Sequence, residues 1–170
     1  IGLEALLRWQ HPRFGLLPPA RFLPILESSG LIHSAGDWVI QTATRQLTAW
    51  QQRFELPDLS VAINVSAQQL MHKRLVDVVS RTLSDTLLDP GCIELEIGDG
   101  DFPNRRKAEI ETLRGLRKLG VRLSLDHFGT CDISFESLDN GFVNSFVLDQ
   151  SLIADIDRND SHQRIVRAAI

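Results

Sequence analysis

The sequence predicts an α/β fold, a parallel sheet of short strands joined by helices, and within that class part of a TIM-type (β/α)8 barrel. Three observations carry this. Short apolar runs alternate with longer stretches whose apolar residues recur every three or four positions. Several runs end in a carboxylate or an amide, as at Asn64, Glu96, Asp126 and Asp149, and polar strand ends gather at the C-terminal mouth of a barrel. No glycine-rich nucleotide fingerprint of a doubly wound fold stands at a strand–helix junction. A closed barrel takes roughly 250 residues, and only about five strands are legible. Residues 1–170 are therefore expected to be one piece of a domain, truncated at both ends.

The elements follow in order. Residues 2–9 read as a strand with Glu4, Leu6 and Arg8 on one face, because strand side chains alternate. A turn through residues 11–15 leads to Pro18-Pro19, which starts a helix running to about Ser29 with Gly30 as its stop. A second helix is predicted from near Gly36-Asp37. Val39, Ala43, Leu47, Trp50 and Phe54 give it an apolar stripe, and Trp38 and Trp50 are assigned to the core.

Strand 60–65 enters Ser66-Ala67-Gln68-Gln69, which has the form of a capping box. A helical region runs through Leu70, Leu75, Val78, Val79 and Leu83, and Asp89-Pro90-Gly91 is a turn. Strand 92–97 is followed by helix 104–119, ended by Gly120. Val121, Leu123 and Leu125 alternate through strand 121–126 and stop at Asp126. A short helical turn near 134–139, strand 143–148 and a last helix capped by Asp160 or Ser161 complete the pattern.

Composition narrows the function. With 43% hydrophobic residues the chain suits one core. A net charge of −4 and a pI near 5.7 argue against a nucleic-acid surface. An anionic ligand would need a metal or a local arginine. Cys92 and Cys131 suit neither a disulfide framework nor a zinc site, which makes a reducing cytosol the default. No apolar run approaches the ~20 residues of a membrane span. A cytoplasmic protein, or a cytoplasmic domain of a membrane protein, is expected.

Glu4, Asn64, Glu96 and Asp126 would converge at the mouth. Three carboxylates and an amide carbonyl are hard oxygen donors suited to Mg²⁺ or Mn²⁺. Arg8, on the Glu4 face, could clamp a phosphate.

Glu4-Ala5-Leu6-Leu7-Arg8-Trp9 resembles the signature of EAL domains, the cyclic di-GMP phosphodiesterases of bacterial signalling. The likeness continues through Gly30-Leu31-Ile32, Val61-Ala62-Ile63-Asn64-Val65-Ser66, Leu95-Glu96-Ile97, Leu125-Asp126-His127-Phe128-Gly129-Thr130 and Leu148-Asp149-Gln150-Ser151. It implies a modified (β/α)8 barrel lacking, here, its N-terminal strand and C-terminal part. It also implies that Glu4, Asn64, Glu96 and Asp126 match first-metal ligands, and that Leu6 and Arg8 match dinucleotide contacts. Asp149 matches an acid near the catalytic metals. In active members two divalent ions activate a water that opens the ring to linear pGpG.

The departures are specific. His127 stands where the family has a second-metal aspartate, and imidazole is a poor Mg²⁺ ligand though better for Mn²⁺. Val147 replaces the lysine that helps activate the water. Cys131-Asp132-Ile133-Ser134 departs from the family loop, and Asp99 replaces the glutamate that braces it. Loss of a general base alone typically costs about 10²–10⁴ in rate. The leading reading is thus a degenerate EAL domain that binds cyclic di-GMP around one Mg²⁺ or Mn²⁺, the second position being compromised. Signalling would pass through a homodimer or a partner protein. The alternatives are a working phosphodiesterase that uses Glu4, Asn64, Glu96 and Asp126 for one metal and His127 at an altered second one, with Glu4 and Asp149 in catalytic roles, and a dimerisation or docking scaffold that binds no nucleotide.

Overall fold

The computed structural model describes residues 1–98, 107–128, 142–154 and 156–169. Five strands form one parallel sheet: β1 (Gly2–Ala5), β4 (Ser60–Val65), β5 (Ile93–Gly98), β6 (Arg122–Phe128) and β7 (Ser145–Leu148), in the spatial order β1-β4-β5-β6-β7. The sheet curls into half a barrel. Its helices include α2 (Ile32–Phe54), α4 (Arg74–Thr86) and α5 (Lys107–Leu119).

Strand alternation decides which face meets the helices. Val61, Ile63 and Val65 on β4, Ile93, Leu95 and Ile97 on β5, and Leu123 and Leu125 on β6 are buried on one side. Ile40 and Leu47 of α2, Val79 of α4, and Leu113 and Leu116 of α5 complete that core. The opposite, concave face carries the polar residues, because the register aligns Asn64 with Glu96, Glu96 with Ser124, and Gly98 with Asp126. Deeper on this face Glu94 pairs with Arg122 at 3.2 Å and accepts from the Ser145 hydroxyl at 2.7 Å.

Several expectations are corrected. The first strand ends at Ala5, and the chain then forms an antiparallel hairpin, β2 (Trp9–His11) with β3 (Gly15–Leu17). The hairpin turn passes through Gly15 at φ +69°, with the His11 Nδ1 accepting from the Arg13 and Phe14 amides. The following helix, α1 (Leu23–Ser28), begins after a 3-10 turn at Pro19–Arg21 and stops at Gly30, φ +73°. Helix α2 starts at Ile32, four residues before the predicted point.

Trp38 and Trp50 do not join the core; they are 59% and 37% exposed. Trp38 lies about 200° round the helix from buried Ile40, and both tryptophans line a groove of about 350 Å³ with Leu3 and Leu7. The capping box forms as predicted at the start of α3 (Ala67–Leu70). Two short helices close the described chain, α6 (Gln150–Ala154) and α7 (Asp160–Ala169). Asn159, not Asp160 or Ser161, caps α7, its Oδ1 accepting from the Ser161 and His162 amides. The turn predicted near 134–139, the loop after Phe128 and Asp99 lie outside the described residues.

Candidate functional site

Four strand ends bring their polar side chains to one mouth. Glu4 is the penultimate residue of β1, Asn64 of β4, and Glu96 and Asp126 lie near the ends of β5 and β6. The Asn64 Nδ2 donates to Glu4 Oε1 at 3.0 Å. That bond orients the amide and leaves its carbonyl oxygen as a donor atom for a cation. Glu96 is half-buried beside them. Burial, then the neighbouring carboxylates of Glu4, Asp126 and Glu94, push its carboxyl up to about 7, against a smaller opposing effect of His127.

Anions crowded in this way are what a cation would relieve. The oxygen donors Glu4, Asn64, Glu96 and Asp126 thus fit a hard divalent ion by type, register and mutual repulsion. As placed, no three His, Cys, Asp or Glu side chains among the described residues are gathered tightly enough to hold one. Closing round an ion therefore requires side-chain rotation at these positions.

His127 is engaged with Asp126 by two bonds. Its backbone N–H donates to Asp126 Oδ1 at 2.8 Å, and its Nδ1 lies 2.7 Å from Oδ2. Its φ is +56°. Glu55 and Leu87 share such a φ, but they sit at the C-terminal ends of α2 and α4, where a left-handed stop is ordinary. His127 has no helix to end, and a left-handed residue with a Cβ costs roughly 1–2 kcal/mol. The two bonds to Asp126 hold it there.

Asp149 follows β7 and opens α6. Its Oδ1 accepts from the Ser151 hydroxyl at 2.6 Å and the Ser151 N–H at 2.8 Å, which hold its carboxyl below the usual range; His127 adds to this. The acid expected near the metals is therefore also a helix cap. Val147, 42% exposed on β7, offers no hydrogen bond and no charge.

Leu6 and Arg8 lie beyond β1, so the shared strand face predicted for them with Glu4 is not formed by strand alternation. Leu6 lines a cleft of about 440 Å³ with Glu4, Asn64, Asp126 and His127. Arg8 lines the adjoining tryptophan groove, which also touches Glu4 and Leu6, and its Nη1 donates to the Leu7 carbonyl at 2.8 Å. Among the cleft residues that the sequence did not mark as site residues are Gly36 and Gln69. The capping-box spacing pointed to Gln69; nothing in the local sequence ties Gly36 to it.

A parallel half-barrel with a carboxylate-rich C-terminal mouth defines a class of TIM-barrel protein. The chain belongs to the EAL domain family, whose model matches residues 1–170. It is 35% identical over 170 residues to the bifunctional diguanylate cyclase/cyclic di-GMP phosphodiesterase MucR of Pseudomonas aeruginosa, covering 100% of this chain and 25% of that protein. It is 32% identical over 169 residues to the cyclic di-GMP phosphodiesterase PdeR of Escherichia coli, covering 99% of this chain and 25% of that protein. The chain thus spans about a quarter of the length of these relatives.

The solved MucR phosphodiesterase in complex with c-di-GMP superposes with a TM-score of 0.86 at 35% identity, over 99% of this chain and 68% of that one. The EAL enzyme Bd1971 bound to cAMP and cyclic di-GMP gives 0.87 at 28% identity, over 98% and 46%. Among the described residues no helix is long and apolar enough to cross a membrane.

Proposed function

We propose that this domain is a degenerate EAL receptor: it binds cyclic di-GMP around one divalent ion and turns it over very slowly or not at all. The observation that carries the reading is the Asp126–His127 pair. His127 stands where a second-metal carboxylate is expected and spends its ring Nδ1 on Asp126, and Val147 supplies no proton-handling group on the neighbouring strand. MucR and Bd1971, both structurally similar, are solved with cyclic di-GMP, which supports the choice of ligand.

In this reading Glu4, Asn64, Glu96 and Asp126 hold the first Mg²⁺ or Mn²⁺, which when bound offsets charge on a phosphodiester. Leu6 packs against the dinucleotide, Arg8 pairs with a phosphate, and Asp149 borders the ligand. Asp99 is assigned the bracing of the loop after Phe128. The domain acts in the cytoplasm, or as the cytoplasmic part of a membrane protein, and reports through a second copy or a partner protein.

Incubating the intact protein with cyclic di-GMP and Mn²⁺ and following pGpG by chromatography tests the loss of turnover. The reading expects no product within the time an active phosphodiesterase exhausts the substrate. Steady accumulation at a comparable rate would establish the working-enzyme alternative instead.

A further inference from the structure

We propose that Gly36 and Gln69 act as a positioning pair for the cleft, the missing side chain of the glycine letting Gln69 fix the strand end that presents Asn64. This rests on the reading of the cleft as a cyclic di-GMP cradle. An ideal Cβ built on Gly36 would stand 2.0 Å from Gln69 Nε2 and 2.7 Å from its Cδ. Atoms do not approach that closely without contact repulsion of the steepest kind, so no other residue fits while Gln69 keeps its place.

The backbone does not itself call for glycine here. Gly36 lies inside α2 and is not among the residues of positive φ. A glycine in a helix interior costs about 1 kcal/mol relative to alanine. What it permits is the seat of the Gln69 amide against the helix.

Gln69 cannot easily leave that seat. It is 5% exposed, and its Oε1 accepts from both the Ser66 N–H and the Ser66 hydroxyl at 3.2 Å. Ser66 immediately follows β4 and lies two residues from Asn64, whose amide bonds Glu4. A continuous path therefore runs from α2 through Gln69 and Ser66 to the Asn64–Glu4 bond. Gly36, Ser66 and Gln69 also line the cleft beside Glu4 and Asn64. On its far side Gln69 borders His33 and His72, whose rings stand 4.8 Å apart edge to face.

The test is a double-mutant cycle in the full-length protein: Gly36→Ala, Gln69→Ala and the two together. Affinity for cyclic di-GMP with Mn²⁺ is read by calorimetry, melting temperature by circular dichroism, and protection of residues 62–70 by hydrogen exchange. The added methyl meets the far end of a side chain, so Gly36→Ala is expected to fold and to displace Gln69. Each single variant should lose about fivefold to tenfold in affinity, the equivalent of a lost cap. The double variant should be no worse than Gln69→Ala, because the added methyl then occupies vacated space.

Additive losses in the cycle would overturn the proposal. So would single variants that melt earlier but bind with unchanged affinity at 25 °C, since that is what a purely structural role predicts. A wild-type protein that fails to bind refutes the cradle reading instead. Exchange then judges the pair alone: faster exchange at residues 64–66 in both singles, with no further gain in the double, supports it, and wild-type protection in either single contradicts it.

Discussion

Replacing Glu96 with glutamine is expected to stabilise the metal-free protein at pH 8 and to leave its stability unchanged at pH 4. Burial and the carboxylates of Glu4, Asp126 and Glu94 raise the Glu96 carboxyl from 4.5 to about 7. A carboxyl raised in the folded state binds its proton more tightly there than in the unfolded chain. Its stabilising contribution is therefore complete below pH 4.5 and is lost as pH rises through about 7.

The interval between those values sets an upper bound of ~3.4 kcal/mol. Glu96 is only half-buried, and solvent screening reduces this to about 1–1.5 kcal/mol. For a chain of this size that is a rise of about 2–6 °C in melting temperature. Thermal unfolding of both proteins in EDTA at pH 4, 6 and 8 measures it. A gap that is the same at all three pH values, or a variant that melts below wild type at pH 8, would refute the reasoning. Mn²⁺ should raise the wild-type melting temperature at pH 8 and fail to raise that of Glu96→Gln, because the substitution removes both the repulsion and a ligand.

Arg8→Ala should weaken cyclic di-GMP binding by about tenfold or more, the loss of a charge-assisted hydrogen bond, while an exposed position leaves the melting temperature within about 1 °C; unchanged affinity in a fluorescence titration would remove Arg8 from the site. Restoring the family residues together, His127→Asp with Val147→Lys, should raise pGpG formation by at least about 10²-fold, the usual lower worth of a missing general base. The single change His127→Asp should gain far less, and equal rates for the two would show that Val147 is not the deficit.

The sheet was legible because β4 is a short apolar run and β5 and the first part of β6 alternate between apolar and polar positions, and the polar residues near their ends marked Asn64, Glu96 and Asp126 as mouth residues. Of the β2–β3 hairpin only the turn through residues 11–15 was legible. Its two three-residue strands are too short for a period to register, and the bonds that His11 accepts across the turn follow from its geometry. Trp38 and Trp50 misled because burial of tryptophan is a statistical preference; Trp38 points away from the row Ile40, Thr44 and Leu47, while Trp50, about 60° from Leu47, stands at the margin of the core and lines the groove. The pairing of Asp126 with its own neighbour His127 depends on backbone placement, and the glycine at 36 permits the approach of Gln69 only once the fold has brought the two together, which local sequence does not show.

Calorimetric titration of the complete protein with cyclic di-GMP, in the presence of Mg²⁺ or Mn²⁺, reaches the heart of the account. Saturable heat with a stoichiometry of one per domain, abolished by EDTA, is the predicted result. No heat at any concentration with either ion would contradict it, and the mouth formed by these strand ends would then serve no nucleotide.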